Sequence, residues 1–203
     1  MLEKKHASYS RYAQRCEEAD IRLGVALAAG KDHAGIRSLA ALSEVGGWKS
    51  IFALSAGTVT WGLLSGNPRL ASAGRRMLGA SILASLAKTS AKHLVHRTRP
   101  NVLMETGLYT RGRLGPNVGP WQSFPSGHSA LSVAAARALG RAYPEIRGAA
   151  YAGAAGIVLV QVLRGAHFPS DVIAGSLIGL AAEAGTNALA PRSMPQATGG
   201  TNG

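Results

Sequence analysis

The chain of 203 residues suffices for one domain with a real core, and its 22 Lys and Arg against 10 Asp and Glu leave a formal charge of +12. That excess suits an anionic partner, yet aromatics are only 5% of the chain, no basic stripe interleaves with them, and no nucleic-acid module appears, so nucleic acid is excluded. A single Cys16 excludes an internal disulfide framework and any cysteine-built metal cluster.

In chain order, the first twenty residues carry Glu3, Lys4, Lys5, Arg11, Arg15, Glu17, Glu18 and Asp20, too many charges for a cleavable signal peptide. From Tyr9 to Gly47 apolar residues recur at helical spacing between Arg22, Lys31, Asp32, His33, Arg37 and Glu44. This predicts one or two amphipathic helices lying on a membrane surface, with a sixth span near residues 21–45 left open. Five apolar stretches follow, at residues 48–66, 77–92, 129–143, 148–163 and 172–190. Several are shorter than the ~20 residues a bilayer core asks for, and the mean hydropathy is only +0.08. Small residues argue the other way. Gly175 and Gly179 form a GxxxG pair, and Gly153, Gly156, Ala149 and Ala152 line the preceding stretch, as close helix packing in lipid requires. Between Asn101 and Phe124 the density of Gly and Pro predicts a long connecting loop.

The expected fold is therefore all-α, an integral-membrane helical bundle of five or six spans. Residues 1–47 form a basic amphipathic region, 48–190 the membrane core, and 191–203 a polar, Gly-rich disordered tail. A soluble helical bundle is the competing reading.

Three separated segments hold nearly all the residues suited to phosphate chemistry: Lys92 to Arg99-Pro100, then Pro125-Ser126-Gly127-His128, then Gln161 to His167 and Asp171. In this order they resemble the type 2 phosphatidic acid phosphatase superfamily, whose pattern is Lys-x6-Arg-Pro, Pro-Ser-Gly-His and Ser-Arg-x5-His-x3-Asp. The first two motifs match in full. In the third, Val160 and Gln161 occupy the Ser-Arg pair, and Arg164, three residues later, is the candidate to deliver the missing guanidinium.

The resemblance implies a phosphatase that needs no metal or other cofactor. His167 is similar to the family's nucleophile, which forms a phosphohistidine; Asp171 would accept its other ring N–H; His128 would be general acid and then general base. Lys92, Arg99 and Arg164 would bind the phosphate, with Ser126 and Gly127 offering amides at a helix N-terminus. A polar stripe of Ser81, Ser85, Lys88 and Lys92 should face protein. Among bland readings, His128, His167 and Asp171 could be a metal site, which the neighbouring cations oppose, and the basic run 92–99 could be only a positive flank. Lys88 is read as a snorkelling or interhelical residue, and Arg111 and Arg113 as solvated loop charges.

The implied substrate is a lipid phosphate or diphosphate, polyprenyl or phospholipid, at the cell (inner) membrane; a homo-oligomer is compatible with the sequence. Arg69, Arg75, Arg76, Arg141, Arg147 and Arg192 fall at the end opposite the motifs, which makes that side cytoplasmic and the active site extracytoplasmic. The degenerate third motif keeps a second reading open, a non-catalytic phospholipid-binding membrane protein. A soluble acid phosphatase with the same motifs is a third.

Overall fold

The computed structural model describes residues 2–115 and 118–189, with side chains from residue 11 onward. The predicted disordered tail, 191–203, lies outside the described residues. The chain runs α1 (Leu2–Leu27), α2 (Ala34–Ser43), α3 (Trp48–Leu64), α4 (Pro68–Leu94), β1 (Val95–Arg97), α5 (Pro100–Thr106), β2 (Arg111–Arg113), α6 (Gly127–Ala142), α7 (Arg147–Leu163) and α8 (Pro169–Leu189), with single 3-10 turns at Glu44–Gly46, Gly119–Trp121 and Pro144–Ile146.

Local chemistry sets the helix ends. Asn67 caps α4 by accepting from the Leu70 amide, with Pro68 in the first turn. Ser126 caps α6 by accepting from the Ser129 amide. α5 starts at Pro100 and stops at Gly107, whose φ of +71° places it in the left-handed region that ends helices.

α6 is the central helix, packed by α4, α7 and α8, while α3 lies along α4. Its inner face is built from alanine. Ala134 and Ala138 are fully buried in one cluster with Ala80 and Ala84 of α4, and Ala130 and Ala73 are fully buried as well. The large apolar side chains point outward instead: Trp61, Leu64, Leu86, Ile173 and Leu177 are each at least 60% exposed. Small residues inside and large ones outside is the distribution expected when the surroundings are lipid, because close backbone approach, and not burial of bulk, drives helix association there. The runs Pro144–Leu163 and Pro169–Leu189 are long and apolar enough to cross a membrane. α3 and α6, with 17 and 16 residues, are shorter.

The GxxxG pair does what its spacing predicts. A Cβ on Gly175 would lie 2.3 Å from the Ser126 carbonyl oxygen, and one on Gly179 would lie 2.4 Å from that of Ala130, so α8 meets α6 backbone to backbone. Gly62 and Gly74 do the same between α3 and α4. The expectation for α7 is corrected: Gly153 and Gly156 face open space, with nothing within 4 Å of a built Cβ, and serve no helix contact.

Two other expectations change. Residues 101–124 are not one loose loop. They hold α5 and β2, which pairs antiparallel with β1 in the register His96 to Gly112. No continuous helix covers residues 21–45, because the chain breaks between α1 and α2. α1 docks on the motif-bearing end of the bundle, where Gly24 abuts the Phe168 ring.

Backbone contact at Gly175 predicts that Gly175→Ala lowers stability by ~1–3 kcal/mol, whereas Gly153→Ala leaves it unchanged or slightly raised. Thermal melting of both variants in detergent tests this, and equal melting temperatures would remove the close α6–α8 contact from the account.

Candidate active site

The three motifs arrive from four places in the chain and meet at one end of the bundle. Lys92 comes from the last turn of α4, Arg99 from the residue capping α5, His128 from the first turn of α6, and His167 from the turn between α7 and α8. Ser81 is buried and Ser85, Lys88 and Lys92 half-buried, whereas Ile82, Leu83 and Leu86 on the other side of α4 are exposed, so the polar stripe faces protein.

His167 is 3% exposed. Its Nδ1 lies 2.6 Å from the Ser123 carbonyl oxygen, which places the ring proton there and leaves Nε2 with the free lone pair. Burial holds the His167 pKa well below the usual imidazole range, and the charges of Arg99 and Lys92 push it the same way. The ring is therefore neutral at pH 7, the form that attacks phosphorus.

Asp171 does not touch that ring, a correction to the expectation that it accepts the imidazole N–H. Its carboxylate is fully buried. One oxygen accepts from Arg97 Nη1 at 2.8 Å; the other accepts from Ser123 Oγ at 2.6 Å and the Phe168 amide at 2.8 Å. Asp171 thus fixes Ser123, and the Ser123 carbonyl fixes His167. The competing contact is Arg97, whose charge takes the carboxylate that the family resemblance had assigned to histidine.

Arg97 is the residue that sequence reasoning passed over. It is 3% exposed, pairs with Asp171 and, at 2.7 Å, with Asp20 of α1, donates to Tyr109 and Ser170, and lies 4.2 Å over the Phe168 ring. Asp20 also accepts from the Ser170 amide, and Glu17 from the Tyr109 hydroxyl. Arg111 pairs with Glu17 at 3.1 Å, so it is not a merely solvated loop charge. The one available signal was the coincidence of acidic residues in α1 with a basic run far along the chain.

The phosphate-binding candidates divide. Lys92 Nζ donates to the Gln122 carbonyl at 2.7 Å, and Arg99 has a buried Nε with no hydrogen-bond partner among the described residues. A buried, unpaired guanidinium nitrogen is costly unless a ligand completes it. Ser126 is otherwise engaged: its amide donates to the Asp171 carbonyl, and its Oγ accepts from the amide and hydroxyl of Ser129. The first amides of α6, at Gly127 and His128, remain for an anion. Lys88, set aside from the sequence, lines a cavity of about 420 Å3 with Glu44, Trp48, Gly127 and His128.

Gln161 and Arg164 also separate. Gln161 is fully buried and donates to Ser43 Oγ at 3.1 Å, so it bonds α2 instead of completing the cation cluster. Arg164 Nη1 donates to Glu44 at 2.6 Å, and the other Glu44 oxygen lies 3.3 Å from His128 Nε2. The Arg164 hydrogen bond holds the Glu44 carboxyl below its usual range. Arg164 therefore reaches the site from its displaced position, through a carboxylate that the sequence gave no reason to select. Among the described residues, no group of three or more His, Cys, Asp or Glu is placed to hold a metal ion.

Removing the buried carboxylate leaves Arg97 charged and half-unpaired, so Asp171→Ala is expected to cost ~3–5 kcal/mol of stability. A melting temperature equal to wild type would refute the Asp171 hub.

The sequence model described as the PAP2 superfamily matches residues 73–194. Lipid A 1-phosphatases from Rhizobium johnstonii and Rhizobium etli are each 33% identical over 98 residues, which is 48% of this chain and 40% and 42% of theirs. The chain thus spans less than half the length of these curated relatives. A crystal structure of Aquifex aeolicus LpxE superposes with a TM-score of 0.62 at 22% identity, covering 82% of this chain and 93% of that one, a likeness of fold.

Proposed function

Because the chain belongs to the PAP2 superfamily, we propose that it is an integral-membrane lipid phosphatase acting on a lipid phosphate or diphosphate through a phosphohistidine, without a metal ion. The observation that carries this reading is the neutral, buried His167, with one nitrogen tied to Ser123 and its environment set by Arg99 and Lys92.

In the proposed cycle, Nε2 of His167 attacks phosphorus, the bond from phosphorus to the leaving oxygen breaks, and His128 gives that oxygen its proton. A water then loses its proton to His128 and attacks the same phosphorus, the P–N bond breaks, and phosphate departs. Lys92, Arg99 and Arg164 stabilise the oxygens of the transferring group, Lys92 as a point charge and the arginines as forks. With these cations already in place, the charge stabilisation a divalent ion would supply is present in the protein. The cavity beside His128, walled by Trp48 and Leu131 as well as by Lys88 and Lys49, suits a leaving group with an apolar portion. The lipid A 1-phosphatase relatives favour a phosphorylated glycolipid of the cell envelope among the candidates. The arginines of the far end support an extracytoplasmic site in the inner membrane. A non-catalytic lipid-binding protein is the second reading, favoured by Gln161 alone.

A lipid panel that includes phosphatidic acid, a polyprenyl diphosphate and a 1-phosphorylated lipid A, assayed with and without chelator, tests the reading directly. Phosphate release that survives EDTA and is abolished in His167→Ala supports the enzyme; lipid binding without turnover supports the second reading. The lowered His167 pKa sets the sign of the pH response. Protonation of Nε2 blocks attack, so the acid limb of kcat/KM is expected below the ordinary imidazole value of about 6.5, and an acid limb with its midpoint above that value counts against His167 as nucleophile. Arg164→Ala is expected to lower kcat by about 10²-fold or more and Gln161→Ala far less; the reverse order would return the missing guanidinium's role to position 161.

A further inference from the structure

At the end of the bundle remote from the imidazoles, a basin of about 720 Å3 opens between α4, α6, α7 and α8, lined by Arg69, Arg76, Arg137, Arg141, Arg147 and Tyr151. The topology makes it distinct from the site described above. α4 carries Lys92 at one end and Arg76 toward the other, and α8 begins beside Asp171 and reaches the basin at Asn187. At ~1.5 Å per helical residue, each of these runs is about 24 Å long.

Four of the five guanidiniums are held by hydrogen bonds or ion pairs. Glu183, with a side chain 3% exposed, accepts from both Arg137 and Arg141. Asn187 accepts from Arg76 at 2.8 Å. Arg69 donates to the Ala142 carbonyl at 2.9 Å, pairs with Glu145 and lies 4.1 Å over the Tyr143 ring. Arg147 has no carboxylate partner among the described residues, and Gly140 makes room for it, since a Cβ there would lie 2.8 Å from Arg147 Cγ. Five guanidiniums facing the two carboxylates Glu183 and Glu145 leave three positive charges uncompensated around a concave, open space.

We propose that this basin binds a phosphate group. Ordered guanidiniums are the donors that match phosphate oxygens in pairs, and preorganisation lowers the entropy lost on binding. The group has two sources, the headgroup of an anionic phospholipid in the leaflet opposite the active site or a soluble phosphorylated solute. Sorting of basic residues to one membrane side explains the charge at this end but not its arrangement, since that rule asks only for cations near a helix end. A basin with a buried acid pinning two arginines, and a glycine clearing space for a third, is more than that rule needs.

The test uses the full chain in nanodiscs of phosphatidylcholine alone, of phosphatidylcholine with phosphatidylglycerol, and of phosphatidylcholine with added inorganic phosphate or pyrophosphate. The proteins are wild type, Arg147→Gln, Arg147→Lys and Arg75→Gln, the last removing an exposed charge at the same end that does not line the basin. Wild type and Arg75→Gln are expected to melt about 5 °C higher with the occupying anion than in phosphatidylcholine alone. Arg147→Gln should lose at least half of that rise, and Arg147→Lys should fall between. A rise confined to phosphatidylglycerol identifies a lipid headgroup; one confined to the soluble anions identifies a solute. No rise in any arm, or equal losses in Arg75→Gln and Arg147→Gln, overturns the proposal. Arg147→Gln melting like wild type in phosphatidylcholine establishes that it folds, and phosphate release measured in parallel reports the other end of the molecule separately.

Discussion

The buried ion pair between Arg97 and Asp171 is the interaction on which the catalytic end depends. Two charges withdrawn from water are tolerable only when further hydrogen bonds complete them, and here both are completed. Asp171 accepts from Ser123 Oγ and the Phe168 amide, while Arg97 donates to Asp20, Tyr109 and Ser170. Satisfying this one pair draws together β1, the residue Tyr109 before β2, the segment before α6, the start of α8 and α1. The imidazole is positioned as a consequence, because the segment that satisfies Asp171 is the one whose carbonyl takes the His167 proton.

The bundle obeys a different constraint along its length. Its interior is alanine and glycine, its exterior leucine, isoleucine and tryptophan, and its charges gather at the two ends. An aqueous protein would reverse the first two. Glu183 is an acid within a helix apolar enough to span, and it is buried in contact with two arginines of α6, the pairing that lets an ionisable group lie buried in such a helix.

Much of this was legible in the sequence, for identifiable reasons. The GxxxG pair and the inward stripe on α4 rest on spacing, and the expectation that Lys92, Arg99, His128 and His167 share one end of the bundle rests on the three motifs that carry the family resemblance. Chemistry decided by competition was not legible. Asp171 stands four residues from His167, and the family resemblance offered the histidine as its partner; Arg97 and Ser123, 74 and 48 residues away in sequence, outcompete it. Gly153 and Gly156 look like packing glycines but fall on the outer face, because the direction α7 presents to α6 depends on where its preceding turn leaves it. Glu44 carried no local signal at all, being one acid among several in an amphipathic stretch.

Glu44 also bears on how a displaced arginine serves a phosphate. A long side chain reaching from three residues past the usual position would lose considerable rotamer freedom on meeting its ligand. The carboxylate offsets that loss in advance, since Arg164 is already ordered at 2.6 Å from Glu44 and beside His128. In the proposed reading, an incoming phosphate, with greater charge and three acceptor oxygens, competes for a guanidinium that is oriented before it arrives. In that same reading the exchange leaves Glu44 in contact with His128 alone, so binding the anion and rearranging the proposed proton-handling group are one event.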